Sequence, residues 1–265
     1  MDAERKLQLL KDLVDGLCAE RGMQMHEDLD ANGLWDAFRA LVNTRPVWPM
    51  DATWLDTQDE LLRGMIEEVG IQRLDAIEDF PGCNGMRLWR GDITTLEVDA
   101  IVNAANSQML GCWVPGHYCI DNAIHTFAGI QLRAACDQIM QIQGHEEPTG
   151  CAKITEAFNL PSRYVIHTVG PVANGRPTPQ HREQLASSYR SCLDLAAENE
   201  LTSIAFCCIS TGVFGFPQED AGRIAIATTR QWLETHGSKM TVVFNVFSEK
   251  DYKIYSRRLA DEDHS

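Results

Sequence analysis

The chain has 265 residues, 44% of them apolar, and a formal net charge of −15, which fits one large domain, or a medium domain with an appendage, and excludes disorder. That acidity excludes a general electrostatic footprint for nucleic acid, so phosphate must be held locally by backbone N–H groups and helix N-termini. No apolar run reaches the roughly eighteen residues of a transmembrane helix, the charged start MDAERKLQLLKDL lacks a signal-peptide pattern, and nine cysteines without framework spacing read as thiols of a reducing cytoplasm.

Taken in chain order, residues 1–80 read as a small helical unit. Leu7, Leu10, Val14 and Leu17 repeat at helical spacing, as do Leu34, Phe38 and Leu41, and then Leu61, Met65, Ile66 and Val69. A link, TRPVWPMDATW, separates the second set from the third, and the turn cluster FPGCNG marks a boundary. From there, residues 81–265 alternate strands and helices. Strands are predicted near Met86–Trp89, Ala100–Ala104, Cys151–Phe158, Tyr164–Thr168, Ser203–Ile209 and Thr241–Val246. Helices are predicted over about 122–142, 181–199, 217–236 and 249–260. Runs such as YVIHTV and TVVFNV between helices indicate a sheet covered on both faces, hence an α/β fold with three α/β/α layers.

Three turn-rich segments follow strands, where open α/β sheets bind ligands. In the first, RGDITTLEVDAIVNAANSQMLG, Asp92 is either a turn residue or a ligand contact. Asn103 and Asn106 at the strand end either bond ribose hydroxyls or buttress a loop. In the second, Cys112, His117 and Cys119 form C-x4-H-x-C around a Pro115–Gly116 turn. Two thiols and an imidazole suit zinc with its fourth position open, while the bland alternative is a loop with incidental thiols. Asp121 then begins a helix, as its N-cap, as a carboxylate beside the metal that orients or deprotonates water, or as both. His125, four residues on, reads as packing or support. In the third segment, Ser210, Thr211, Gly212, Val213, Phe214 and Gly215 turn from a strand toward a helix, either as a nest for phosphate or as an ordinary connection. No dinucleotide, P-loop or nucleophile-elbow motif is present.

Together and in order, GDIT at Gly91, AIVNAAN at Ala100, DNAIHTFAG at Asp121, AKITEAFNLPSRYVIHTVGP at Ala152 and STGVFGFP at Ser210 resemble the macrodomain family over roughly residues 86–260. The resemblance implies a three-layer α/β/α macrodomain with a mixed central sheet. Where MacroD-like hydrolytic members carry a glycine run before the catalytic aspartate, this chain has the longer CWVPGHYC. That departure resembles a zinc-dependent, mainly microbial branch, which also carries an N-terminal helical extension and is associated with a sirtuin-type ADP-ribosyltransferase and a lipoyl-carrier protein.

The resemblance further implies that Asp92 and Ile93 meet the adenine and that Asn106 faces the distal ribose, with Asn103 supporting the loop. It implies zinc on Cys112, His117 and Cys119, with the Cys119, Ile120 and Asp121 backbone bordering the diphosphate and distal ribose. Ser210 through Phe214 would wrap the diphosphate, and Phe247 is a weaker candidate for stacking on adenine. The implied activity is removal of mono-ADP-ribose from a modified protein, from Asp or Glu side chains, with Asp121 and Asn106 at the reacting end. A non-catalytic ADP-ribose reader and an O-acetyl-ADP-ribose deacetylase are the alternatives.

Overall fold

In the computed structural model, which describes residues 1–24, 29–83 and 85–261, three helices come first: α1 (Ala3–Glu20), α2 (Ala31–Asn43) and α3 (Ala52–Val69). Each begins on an aspartate, Asp2, Asp30 or Asp51, whose carboxylate accepts from an N–H of the first turn. Their apolar stripes face one another, burying Leu10, Leu13, Val14, Leu17, Leu34, Phe38, Leu61 and Leu62 in a cluster of their own. Phe127 and Ile130 from later helices pack against that cluster. On the outside, ion pairs such as Arg5–Glu60 and Lys6–Glu68 tie α1 to α3.

The remaining elements are β1 (Gln72–Arg73), β2 (Met86–Arg90), β3 (Leu96–Glu97), β4 (Ala100–Ala105), α4 (Ile120–Ala128), α5 (Ile130–Gln143), β5 (Ala152–Glu156), β6 (Tyr164–Val169), α6 (Pro179–Glu198), β7 (Ser203–Phe206), α7 (Gln218–His236), β8 (Thr241–Val246) and α8 (Glu249–Asp261). Six strands form one mixed sheet in the order β2-β8-β7-β4-β6-β5, parallel except for the edge pair β5–β6. β4, β6, β7 and β8 are buried along nearly their whole length, as a sheet with helices on both faces requires. β4 lies between β6 and β7, and its successors fall on opposite sides of it, so the crevice beyond its C-terminal end is the topological switch point.

Four details differ from the sequence expectation. The helix expected over 122–142 is two helices, because Gly129 takes φ 95° and ψ 171° and separates α4 from α5, a conformation essentially reserved for glycine. The N-cap of α4 is Cys119, not Asp121, which is the second helical residue. The strands expected over Cys151–Phe158 and Ser203–Ile209 shorten to β5 and β7, as their ends turn into loops. β1 and β3 pair in parallel through two residues each, too few to leave a periodic signal. The FPGCNG cluster does turn, with Cys83 N–H donating to the Phe80 carbonyl; its Asn84 lies outside the described residues. Among the described residues, no helix is long and apolar enough to cross a membrane.

Candidate active site and metal centre

The last residues of β4 and the first turn of α4 meet at Asp121, a carboxylate with almost no exposure. Asn103 Nδ2 donates to its Oδ1 at 2.8 Å, and Asn106 Nδ2 lies 3.4 Å from its Oδ2. Burial pushes the Asp121 carboxyl up to about 6, while the Asn103 hydrogen bond and the charge of Arg133 pull it back. Asp121 also sits one residue inside the N-terminus of α4, where the helix dipole favours a negative charge.

Asn103 is itself fully buried, so it serves Asp121 and not a ligand. Its Nδ2 also faces His167 Nδ1 at 3.2 Å, and His167 Nε2 lies 3.0 Å from Thr155 Oγ1. This assigns the proton to Nε2, because Nδ1 must accept from the asparagine. Burial drives His167 down to about 3 and His125 well below the ordinary histidine range, so both rings are neutral at physiological pH. His125 Nε2 lies 3.6 Å from Asp121 Oδ1, beneath the carboxylate on the buried side of α4. Asn106 is more exposed; its Nδ2 donates to the Gly111 carbonyl at 3.0 Å and its Oδ1 accepts from Gln108 N–H, so its amide closes the loop that begins the second segment.

That loop brings Cys112, His117 and Cys119 together, with their ligand atoms all within 4.8 Å of one another. Cys112 Sγ lies 3.6 Å from His117 Nδ1; a tetrahedral zinc at ordinary bond lengths separates a sulfur and a nitrogen ligand by about 3.6 Å. Two sulfurs and one imidazole nitrogen on one side of an open loop therefore fit zinc in both chemistry and spacing. Cys119 has a second task, since its Sγ accepts from Asn122 N–H at 3.4 Å as the cap of α4. Burial pushes its thiol up to about 12, so metal loading there releases a proton as the thiolate forms. His125, Cys136 and His167 also approach one another, but they are wholly interior, and His167 is committed to Asn103 and Thr155.

Across the crevice, Ser210 takes φ 65°, unusual for a residue with a side chain and common where binding loops are strained. Thr211 Oγ1 donates to the Cys208 carbonyl, and Phe216 N–H returns to the Ser210 carbonyl, closing the turn. Among the described residues, the N–H groups of Gly212, Val213 and Phe214 donate to no protein acceptor, leaving three donors for an anion. Val213 is 76% exposed and Phe247, just beyond β8, is 81% exposed. Asp92 accepts from Thr94 N–H and Thr94 Oγ1 through Oδ1 alone, which is its turn role, and the Ile93 side chain is buried.

Sequence reasoning missed Arg39 and Asn43 of α2 and Arg133 of α5. All three are buried and all touch the loop between β4 and α4. Their only signal was polarity on otherwise apolar helix faces. The first two lie more than seventy residues from the groups they bond.

The Macro domain family model matches residues 102–225. Over 259 residues, covering 97% of this chain and 98% of its counterpart, the chain is 52% identical to a protein-ADP-ribose hydrolase from Treponema medium. A protein-ADP-ribose hydrolase from Staphylococcus aureus strain MSSA476 is 46% identical over 225 residues, 84% of this chain and 83% of that one. Among solved structures, a Trypanosoma brucei macrodomain in complex with ADP-ribose aligns with a TM-score of 0.63 at 34% identity, covering 83% of this chain and 94% of that chain.

Proposed function

Because the chain belongs to the macrodomain family, with protein-ADP-ribose hydrolases matched over 84–97% of its length, we propose that it removes mono-ADP-ribose from modified protein side chains, with zinc on Cys112, His117 and Cys119. The observation that carries this reading is Asp121: a nearly buried carboxylate, held by Asn103 and Asn106 at the helix end that opens from Cys119. Cys112, His117 and Cys119 would hold the zinc, which would supply a Lewis acid for the reaction.

The chain's own groups supply the rest. The free N–H groups of Gly212, Val213 and Phe214 and the start of α4 bind the diphosphate, which a protein of net charge −15 does not attract at long range. Asp92 and Ile93 meet the adenine, and Phe247 offers its exposed ring beside them. Asn106 orients the distal ribose. Asp121 orients the attacking water and accepts its proton; a carboxyl raised to about 6 is ionised at neutral pH yet basic enough for that transfer. Asp- or Glu-linked ADP-ribose is the favoured substrate, because a carboxylate leaves without protonation and, among the described residues, no strong general acid stands opposite Asp121.

The test follows release of ADP-ribose from a mono-ADP-ribosylated acidic target. Asp121→Ala should lower the rate by roughly 100-fold or more while ADP-ribose binding survives, and complete metal removal should abolish activity until zinc is restored. Tight binding without release, unaffected by Asp121→Ala, identifies a reader. Faster turnover of O-acetyl-ADP-ribose than of modified protein identifies a deacetylase. Either result overturns the proposal.

A further inference from the structure

The loop bearing the three metal-ligand side chains has little apolar anchorage of its own. Trp113, Val114 and Tyr118 are all exposed, Tyr118 to 87%. Asn106, Arg133 and Asn122 bond it at Gly111, Leu110 and Val114, and its turn at Gly116 is held from α2 in the helical unit. Asn43, buried at the end of that helix, accepts from Gly116 N–H through Oδ1 at 3.0 Å, and its Nδ2 donates to Thr126 Oγ1 of α4 at 3.1 Å. Arg39, one turn earlier on the same face, donates through Nη2 to the carbonyls of Gly116 at 3.5 Å and His117 at 3.3 Å, and to Asn122 Oδ1 at 3.4 Å. The Tyr118 ring covers the same guanidinium, 4.6 Å from Cζ. Both backbone polar groups of Gly116, the turn residue between Cys112 and His117, are thus satisfied by α2.

We infer that Arg39 and Asn43 are positioning residues for the metal loop, so that the N-terminal helical unit preorganises Cys112, His117 and Cys119 for zinc. The inference rests on the zinc reading above and adds which part of the chain builds the site. The physical reason is entropic. A loop of exposed residues must otherwise be ordered when the metal binds, at about 1–2 kcal/mol of backbone freedom per residue. Bonds from a packed helix impose that order at folding. Partners that orient metal ligands typically change metal affinity by about 10–100-fold.

The experiment uses the full chain, made metal-free under reducing conditions. Cobalt titration follows the thiolate charge-transfer and d–d bands, and zinc affinity is read by competition with a chromophoric chelator. Asn43→Ala and Arg39→Met should each lose about 10–100-fold in zinc affinity and show altered cobalt d–d bands. Arg39→Lys, which keeps a cationic N–H donor, should recover part of the loss. Arg5→Ala, which breaks the exposed pair with Glu60 in the same helical unit, should bind zinc as the unaltered chain does. Arg39→Met removes hydrogen bonds of 3.3 Å or longer and the contact with the exposed Tyr118 ring, so it carries the test if Asn43→Ala does not fold. Zinc bound equally tightly by the unaltered chain and by folded Asn43→Ala and Arg39→Met, with melting temperature alone lowered, overturns the inference and leaves the zinc reading standing. An unaltered chain that binds neither metal overturns the zinc reading itself, and the inference with it.

Discussion

Replacing Arg133 with methionine tests how the helical unit is fastened to the α/β domain. Arg133 lies on α5, almost wholly buried, and spends its fork on four carbonyls: Leu110 through Nε at 2.7 Å, Val42 at 3.1 Å and Arg45 at 2.6 Å through Nη1, and Asn43 at 2.9 Å through Nη2. Val42 and Asn43 are the last residues of α2, so a cation from another helix reinforces a C-terminus at which the Val42 carbonyl also accepts from the N–H groups of Thr44 and Arg45. Trp113 lies 4.2 Å over the same group. Burial lowers the guanidinium to about 10, which leaves it charged throughout the neutral range. Methionine has similar length and apolar bulk but no donor, so these carbonyls lose the guanidinium bonds. At about 1 kcal/mol net for each bond, once the cost of burying the guanidinium is set against it, the expected loss is about 3–5 kcal/mol, a fall in melting temperature of roughly 10 °C for a chain of this size. Lysine keeps the charge without the fork and should forfeit about half as much. Urea unfolding of metal-free protein, followed by circular dichroism, measures both. A methionine variant within about 1 kcal/mol of the unaltered chain would refute the reasoning, since the four bonds would then contribute nothing that water does not.

Other outcomes separate structural from functional positions. Gly129→Ala should cost roughly 2–4 kcal/mol, because at φ 95° a Cβ would stand 2.5 Å from Gln131 Oε1 and 2.6 Å from Gln58 Nε2; an unchanged urea midpoint would contradict the strain. Gly212→Ala should leave stability within about 0.5 kcal/mol, since its Cβ meets nothing within 4 Å, yet weaken ADP-ribose binding by calorimetry at least about tenfold by crowding the free N–H groups. Lost stability with affinity intact would remove the diphosphate assignment from this turn. His167 is held down to about 3 when folded against about 6.5 when unfolded. The unfolded chain therefore binds the extra proton first, and stability present above pH 6.5 is lost as pH falls toward 3. In chelator, the urea midpoint of His167→Gln should fall less steeply between pH 7.5 and 5 than that of the unaltered chain, with His125 supplying the remaining slope; parallel curves count against the buried neutral imidazole.

Much of this protein was legible in the sequence because the signals are local. The apolar, β-branched runs YVIHTV and TVVFNV gave β6 and β8 at or within a residue of their ends, and helical spacing located α1, α2 and α3. The C-x4-H-x-C spacing around a Pro–Gly turn confined three side chains to one short loop, which the fold then brings within ligand distance. Asp121 was recognisable as a candidate from its place at the head of a helix. Tertiary structure alone decided its environment: Asn103 beneath it, His167 and Thr155 fixing Asn103, and the burial that raises its carboxyl. It also decided that Cys119 caps α4 and that Gly129 splits one apolar period into two helices. Above all, it joined Arg39 and Asn43 to a loop more than seventy residues away. Periodicity records which face of a helix is buried, and a hydrogen bond between remote segments leaves no period, so those partners emerge only when the chain is folded.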